Sequence, residues 1–366
     1  MNKTMEATEK LSPELTQPLL AWFRANARDL PWRHTRDPYR IWVSEIMLQQ
    51  TRVTAVLGYY ARFLASFPSV EALAAAPEDR LLKVWEGLGY YSRARNLQRA
   101  ARAVTEQYGG AFPASYEELL ALPGVGAYTA GAVASAAFGL REPAVDGNVL
   151  RVVSRLTDCH DDVLLEQTKR AVRAQVAAVL PREPEEMRIF NQATMELGAT
   201  VCVPGGPPKC ASCPVAAFCL ARARGTAEVL PVRAPKPARR IEEKTVYLLV
   251  REGRAALQKR PESGLLAGLW EFPNVSGTLA APEAAGPVER WGLTPRAWEQ
   301  RLTARHLFTH VEWRMTGYVL EVSGRGPEEF LWADAAALEN CAVPSAFARY
   351  YEEAKRRLTE SGGDEP

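Results

Sequence analysis

Three features that would quickly assign a protein to a class are absent from this 366-residue sequence. No apolar run approaches the roughly 20 residues of a membrane span, so we expect no membrane segment. The net charge is only +2 and there is no polybasic tail, so any nucleic-acid binding must depend on a local basic face. The first residues, MNKTMEATEKLSPE, are polar and lack the apolar core of a signal peptide. A cytoplasmic protein is therefore expected.

The chain has the composition of a globular protein and a length sufficient for two domains. Apolar residues at helical spacing dominate residues 11–201, where strand alternation is nearly absent. A basic, proline-rich stretch, LPVRAPKPARR, then indicates a linker, and strand-like segments such as TVYLLVRE follow it. We therefore predict a mostly α N-terminal domain at 1–225, a linker at 226–243 and an α+β C-terminal domain at 244–366.

Six cysteines are present, and two of them, Cys159 and Cys341, are isolated, as expected for small buried side chains. The other four fall in one short segment, 202–219. In a cytosolic chain such a cluster favours metal or redox chemistry over disulfides. Four thiolates in one loop suit either an iron–sulfur cluster or zinc. The clustered residues are Cys202, Cys210, Cys213 and Cys219.

The stretch LPGVGAYTAGAVASAAFGLREPAVDGNVLR contains a glycine-bracketed turn, Gly124 to Gly126, before a helical run of small residues. Glycines let a backbone approach a ligand closely, and the free N–H groups at a helix start suit a phosphate. Asp146 follows, just before another helical pattern. It is either a simple helix N-cap or a carboxylate placed for chemistry on a nucleic acid.

A second carboxylate, Glu45, lies within the apolar run IWVSEIMLQQT. If it is buried, its pKa is raised and it can stay protonated near neutral pH, as a general acid requires. If it lies on the exposed stripe of the helix, it has no such role. Periodicity alone leaves both alternatives open.

These motifs resemble a known family. LPGVGxxTA and VDGNVLRV are similar to the helix-hairpin-helix DNA glycosylases related to endonuclease III, and LPWR with SEIMLQQT is similar to the MutY branch, which removes adenine opposite 8-oxoguanine. The resemblance implies a monomer acting on double-stranded DNA with adenine:8-oxoguanine or adenine:guanine mispairs. It makes Glu45 the acid that protonates the base and Asp146 the carboxylate that stabilises the sugar cation or attacks it. Residues implied to line the adenine pocket or orient the catalytic carboxylate are Trp32, Arg33, Gln192, Asn148 and Tyr128.

Tyr128 also limits the chemistry. Lyase-active relatives carry a lysine at this position, which forms a Schiff base with the sugar. A phenol cannot form an imine, so the sequence predicts base removal without efficient strand cleavage. A lyase resembling endonuclease III and a non-catalytic iron–sulfur lesion sensor are the alternatives.

By the same resemblance, several residues contact DNA. Gln50 and Tyr90 are implied to fill the gap left by the extruded base, with Thr51 beside Gln50 and the hairpin glycines Gly124 and Gly126 on phosphate. Arg93 and Arg95 are expected to contact phosphate as well.

The cysteine spacing is C-x7-C-x2-C-x5-C. The family pattern has six residues in the first gap and carries a [4Fe–4S] cluster, which we expect here. The additional residue lies in VPGGPPK, where a flexible Gly-Pro loop can absorb it. Zinc stays the alternative.

The C-terminal region, with LLAGLWEFPN, resembles the MutT-like, Nudix-fold domain of MutY proteins. It lacks the glutamate-rich box that a Nudix hydrolase needs for magnesium, so recognition rather than hydrolysis is expected. Within RHLFTHVEW, Phe308, Thr309 and His310 match the loop that inspects 8-oxoguanine. Thr309 replaces a serine of many relatives and retains the hydroxyl. Ordinary strand alternation is the alternative for this segment.

Overall fold

The computed structural model describes residues 9–235 and 237–360, which divide into two compact units. One unit comprises Met1–Ala75 and Arg95–Pro235; the other comprises Ala76–Ala94 and Lys236–Pro366. Residues 1–8 of the predicted signal-free terminus, residue 236 of the predicted linker and residues 361–366 lie outside the described part. Within that part, no helix combines the length and the hydropathy that crossing a bilayer requires.

Up to residue 235, the described chain is helical, as the periodicity predicted. Small and apolar residues recur on one face of most of these helices, and short turns join them. The helices are α1 (Thr16–Asn26), α2 (Pro38–Leu48), α3 (Val53–Ser66), α4 (Val70–Ala75), α5 (Glu78–Val84), α6 (Ser92–Tyr108), α7 (Tyr116–Ala121), α8 (Ala127–Phe138), α9 (Gly147–Leu156), α10 (Glu166–Ala178), α11 (Pro184–Thr200) and α12 (Leu220–Arg224).

The central helix of the first unit is α8, with the sequence AYTAGAVASAAF, of which eight of the 12 residues are buried. Its small side chains let the neighbouring backbones come close. At Gly131, for example, a Cβ atom would lie 2.4 Å from the carbonyl oxygen of Pro143. The helix packs against α2 and α11. The small residues of α8 therefore allow side chains of α2, α8 and α11 to lie close together.

A second group of helices, α1, α9, α10 and α11, encloses an apolar core. Leu19, Val153, Phe190 and Leu197 are among its buried members, and the cysteine-rich segment packs on its edge through Val215. Burying the 21 side chains of this core supplies most of the driving force for folding this region.

The second unit is built on a mixed sheet with the strand order β3-β2-β1-β6-β5, in which β4 also pairs with β1 and β7 with β2. β1 and β6 are parallel, and the other pairs are antiparallel. The elements are β1 (Arg240–Arg251), β2 (Arg254–Lys259), β3 (Trp270–Glu271), β4 (Asn274–Ser276), α13 (Ala281–Arg290), β5 (Thr294–Leu307), β6 (Val311–Ser323), β7 (Phe330–Ala333), α14 (Ala335–Asn340) and α15 (Ala348–Glu360).

Both faces of this sheet are covered, which explains the continuous apolar run TVYLLV. Alternate residues of β1 serve different cores: Val246 and Leu248 belong to the core that contains α15, and Tyr247 and Leu249 to the core that contains α13. The helix-then-sheet order confirms the predicted fold class. Two features differ from the expectation. β1 starts at Arg240, inside the predicted linker, and the long edge strand β5 was not among the predicted strands.

Candidate active site

Glu45 lies in the middle of α2, a helix that starts at Pro38 with Asp37 as its N-cap. The Asp37 carboxylate accepts a hydrogen bond from the Tyr39 amide at 2.9 Å. Apolar residues surround Glu45, which is 9% exposed. Burial raises the pKa of Glu45 to about 7. The alternative of a solvent-exposed stripe is therefore wrong.

The hydroxyl of Tyr128, near the start of α8, donates a hydrogen bond of 2.5 Å to Oε2 of Glu45 and approaches Sδ of Met195 at 3.3 Å. A donor stabilises the ionised carboxylate, so this bond partly offsets the effect of burial on the pKa of Glu45. Burial and the neighbouring carboxylate raise the pKa of Tyr128 well above its usual value. Tyr128 therefore stays protonated as a donor, and the carboxylate that it orients is that of Glu45.

Asp146 is the N-cap of α9, and it also faces the cleft. Its Oδ1 accepts hydrogen bonds from the amides of Asn148 at 2.9 Å and Val149 at 2.8 Å. Its Oδ2 accepts one from Nδ2 of Asn148 at 2.6 Å. Burial raises the pKa of Asp146, while these three donors favour the ionised form. Asp146 is therefore an N-cap, and the same hydrogen bonds fix both oxygens of a carboxylate that lines the cleft.

Asn148 is itself held by Arg151, whose guanidinium Nη2 donates to its Oδ1 at 3.0 Å. The same guanidinium donates through Nε to the carbonyl oxygen of Cys202 at 2.8 Å and through Nη2 to that of Gly198 at 2.8 Å. At Gly198 a Cβ atom would lie 2.7 Å from Cβ of Asn148. A chain of hydrogen bonds therefore runs from the first cysteine to the Asp146 carboxylate.

One cleft of about 1870 Å³, including the open space at its mouth, collects these groups. Glu45, Tyr128 and Asp146 line it. The predicted pocket residues Trp32, Arg33, Gln192 and Asn148 line it too, as do Gln50, Thr51, Gly124 and Gly126. The structure thus brings together the residues that were predicted from separate stretches of the first unit.

The pocket residues differ in how firmly they are held. Trp32 is buried and meets the Tyr60 ring edge-on at 5.3 Å. The amide of Gln192 donates to the carbonyl of Arg188, one turn earlier in α11, at 2.9 Å. Gln192 therefore lines the cleft with its amide group held to its own helix.

Glu196, which was not among the residues predicted from the sequence, anchors Arg33. Its buried carboxylate accepts a bond from Nη2 of Arg33 at 2.7 Å and a bidentate pair from Arg28, both at 2.7 Å. Burial alone would raise the pKa of Glu196, but these guanidinium groups hold it at about 2. The available signal was its spacing, four residues after Gln192 and so on the same face of α11.

Four residues of the first unit that are implied to contact DNA, Gln50, Thr51, Gly124 and Gly126, line the same cleft. Gln50, just past α2, has a φ of +58°, an uncommon value for a residue with a side chain. Gly124 has a φ of +74°, and a Cβ atom there would lie 2.5 Å from that of Asn96. α8 then begins at Ala127 without a side-chain cap, which leaves its first N–H groups available to a phosphate.

The four clustered cysteines line one small apolar pocket at the edge of the α9–α11 core. Nη1 of Arg155 lies 3.2 Å from Sγ of Cys202. The additional residue of the first gap is accommodated in an exposed loop in which Gly205 and Gly206 have positive φ values. The amide of Lys209, hydrogen-bonded to the carbonyl of Val201 at 2.9 Å, closes that loop.

In the second unit, Phe308, Thr309 and His310 form the loop between β5 and β6. Ordinary strand alternation is therefore wrong for this segment. The Phe308 ring packs on Trp313 at 4.9 Å, and its carbonyl accepts a bond from Nε of Arg239 at 2.8 Å. Thr309 and His310 are exposed.

Tyr90 belongs to the same unit, with its hydroxyl 3.2 Å from that of Thr309. The expectation that Arg93 contacts phosphate is wrong, because its guanidinium is turned inward. It donates to the carbonyls of Leu88 and Gly89, both at 3.1 Å, and is only 8% exposed. Phosphate contact by Arg95 stays a prediction.

Two family models match parts of this chain. Residues 43–182 match the HhH-GPD superfamily of base excision DNA repair proteins, and residues 245–353 match the NUDIX domain. Glu45 and Asp146 fall within the first match and Thr309 within the second.

The chain is similar to several curated proteins named adenine DNA glycosylase, of which the human and rat proteins are examples. The human protein is 35% identical over 91% of this chain and 72% of its own length. The protein of Rattus norvegicus is 36% identical over 95% of this chain and 80% of its own length. Among solved structures, a thermostable thymine-DNA glycosylase aligns with a TM-score of 0.52 and 31% identity, over 58% of this chain and 96% of that one.

Proposed function

The chain belongs to the adenine DNA glycosylases of the HhH-GPD superfamily of base excision repair proteins, and from that membership we propose that it extrudes adenine from a mispair with 8-oxoguanine or guanine and excises it. The observation that carries this proposal is the pair of fixed carboxylates, Glu45 and Asp146, in one cleft. The partner is double-stranded DNA, which the protein engages as a monomer at the nucleoid.

Glu45 acts as the general acid. With a pKa of about 7, a large fraction of its side chain is protonated near neutral pH, close to the optimum for proton transfer. Its proton passes to a ring nitrogen of adenine, and the electron pair of the breaking N-glycosidic bond leaves with the base. Protonation converts a poor leaving group into a neutral one.

Asp146 acts on the sugar. As the glycosidic bond breaks, the sugar acquires oxocarbenium character, and an ionised carboxylate beside it lowers the energy of that state. Three donated hydrogen bonds keep the Asp146 carboxylate oriented without reorganisation. The same group can add to the anomeric carbon before water does, in the manner of a retaining glycosidase. Asn148 orients Asp146, and Tyr128 orients Glu45.

The enzyme is proposed to be monofunctional. A lyase needs an amine that forms an imine with the opened sugar. Tyr128 instead supplies a phenol, which is hydrogen-bonded to Glu45. The product is then free adenine and an abasic site, and the DNA strand stays intact.

Cys202, Cys210, Cys213 and Cys219 are proposed to hold a [4Fe–4S] cluster, which stabilises the fold and positions DNA. The donor set fits: four thiols line one apolar pocket, and Arg155 provides a hydrogen-bond donor to one sulfur. Zinc, which four thiolates also bind, stays the alternative.

The two domains are proposed to divide the work, with catalysis in 1–225 and lesion recognition in 244–366, joined by 226–243. Phe308, Thr309 and His310 inspect 8-oxoguanine. Gln50 and Tyr90 fill the space left by adenine, with Thr51 and the hairpin glycines on the backbone. Helix α13 carries no glutamate-rich box, so the second domain reads the lesion without hydrolysing nucleotides.

The test uses a duplex with one adenine opposite 8-oxoguanine, with breaks in the adenine strand measured before and after hot alkali. Breaks only after alkali are expected. Breaks without alkali would contradict the monofunctional assignment. Tight binding without breaks under either condition would instead indicate a non-catalytic lesion sensor.

A further inference from the structure

The turn that carries Tyr90 is held from several sides. Gly87 and Gly89 have φ values of +94° and +70°, and Tyr90 itself has a φ of +48°. Such a backbone is unfavourable for a residue with a side chain and persists only where its surroundings impose it. Nε1 of Trp85 donates to the Gly89 carbonyl at 3.1 Å, beside the two bonds from Arg93.

This turn does not stand alone, because the helix before it, α5, is attached to the loop 341–343. The carboxylate of Glu86 accepts a hydrogen bond from the amide of Val343 at 2.9 Å. Nζ of Lys83 donates to the carbonyl of Cys341 at 3.1 Å and pairs with Glu86 at 2.7 Å. Cys341 and Val343 are both buried, so the contact is made to a fixed part of the sheet unit.

Two parts of the lesion-reading apparatus are thereby connected within one unit. Glu86 lies four residues before Tyr90, and the Tyr90 hydroxyl meets that of Thr309 at 3.2 Å. The Tyr90 side chain is 45% exposed, so its own packing fixes it weakly. Its position depends on the rigid turn and on where that turn is attached.

We propose that Glu86 is a positioning residue for recognition of 8-oxoguanine: by binding the Val343 amide it places Tyr90 against Thr309, so that the two side chains meet the lesion as one surface. The inference rests on the proposed function and adds a specificity determinant outside the cleft. Glu86 touches neither the adenine pocket nor the two catalytic carboxylates.

The test compares Glu86→Ala with Glu86→Gln in the full-length holoprotein. The glutamine retains a carbonyl oxygen that can accept from Val343, whereas alanine removes the acceptor. A hydrogen bond to a charged acceptor accounts for about a tenfold equilibrium factor. We therefore expect Glu86→Ala to lower the preference for 8-oxoguanine over guanine opposite adenine by about tenfold, and Glu86→Gln to restore most of it.

The readout is the ratio of single-turnover excision rates for the two mispairs, together with the ratio of binding affinities for duplexes that carry a non-cleavable adenine analogue. Asp79→Asn is the matched control, because it breaks only the exposed pair of the same segment with Lys259. The melting temperature of each variant identifies any loss of fold.

An equal loss on both mispairs, with the ratio unchanged, would overturn the proposal. A preference ratio that falls as much in Glu86→Gln as in Glu86→Ala would also overturn it.

A double variant gives a second test. In a Thr309→Ala background, Glu86→Ala should lower the preference ratio much less than it does in the wild type, because the two residues act through one contact. Fully additive effects of the two substitutions would contradict the proposal. A wild type that excises no adenine would refute the proposed function, and the binding ratios would still decide the role of Glu86.

Discussion

Replacing Tyr128 by phenylalanine isolates the contribution of one hydrogen bond to the protonation of Glu45. The bond runs from the phenol to Oε2 of Glu45 at 2.5 Å. Because the hydroxyl is a donor, it stabilises the ionised carboxylate and lowers the pKa of Glu45 below the value that burial alone would give. Phenylalanine keeps the ring and removes the donor, so the pKa of Glu45 should rise above about 7.

The size of the shift follows from the strength of such bonds. A hydrogen bond to a charged group contributes about 1.5–3 kcal/mol, and one pKa unit corresponds to about 1.4 kcal/mol. The pKa of Glu45 should therefore rise by about 1 to 2 units. Since the acid form is the active one, activity is lost as pH rises through this pKa. The alkaline limb of the rate profile should move to about pH 8–9 in the variant.

The assay is single-turnover release of adenine from an adenine:8-oxoguanine duplex between about pH 5.5 and 9.5 at constant ionic strength. A lower plateau would only show that Tyr128 also contributes to orientation. The position of the limb is the decisive quantity. A limb that stays in place, or that moves to lower pH, would refute the assignment of Glu45 as the acid whose proton Tyr128 regulates.

The remaining predictions concern other groups. Glu45→Gln should abolish adenine release, a loss of at least about 100-fold, with mispair binding retained in a gel-shift assay; unchanged turnover would exclude the acid role. Thr309→Ala should lower the rate ratio for 8-oxoguanine over guanine by about 3- to 10-fold, and Thr309→Ser should not. Glu196→Gln leaves two guanidinium groups poorly compensated and should cost about 3–5 kcal/mol of unfolding free energy, measured by urea denaturation. In the wild type, the stability from Glu196 should be present above its unfolded pKa of about 4.5 and lost as pH falls through its folded pKa of about 2. Cys213→Ser should remove iron, measured by metal analysis, and lower the melting temperature.

The fold class was predictable because each part of the chain has a clear period. Helical spacing identified α2, a run of small residues indicated α8, and the segment TVYLLVRE indicated the strand β1. The edge strand β5 was missed, because most of its residues are polar and exposed. An edge strand buries little, so its sequence carries little of the signal by which strands are recognised.

Those features of the candidate site that depend on residue type alone were predictable from the sequence. Contacts between residues that are distant along the chain were not. Tyr128 in place of an amine indicated the reaction type, but its bond to Glu45 depends on how closely α8 packs on α2. Glu196 and Glu86 bind groups 163 and 257 residues away along the chain, and no local pattern encodes such partners. Arg93 was misassigned because a buried and an exposed arginine look alike in sequence.

Two glycines beside the active site have a consequence for how this enzyme tolerates mutation. At Gly131 and Gly198 a single added methyl group would meet the Pro143 carbonyl or the Asn148 side chain. An alanine at position 131 would press on a backbone carbonyl, and one at position 198 would press on the side chain that hydrogen-bonds Asp146, yet neither change would remove a functional group. A screen for inactive variants should therefore recover substitutions at these glycines that leave every residue lining the cleft intact.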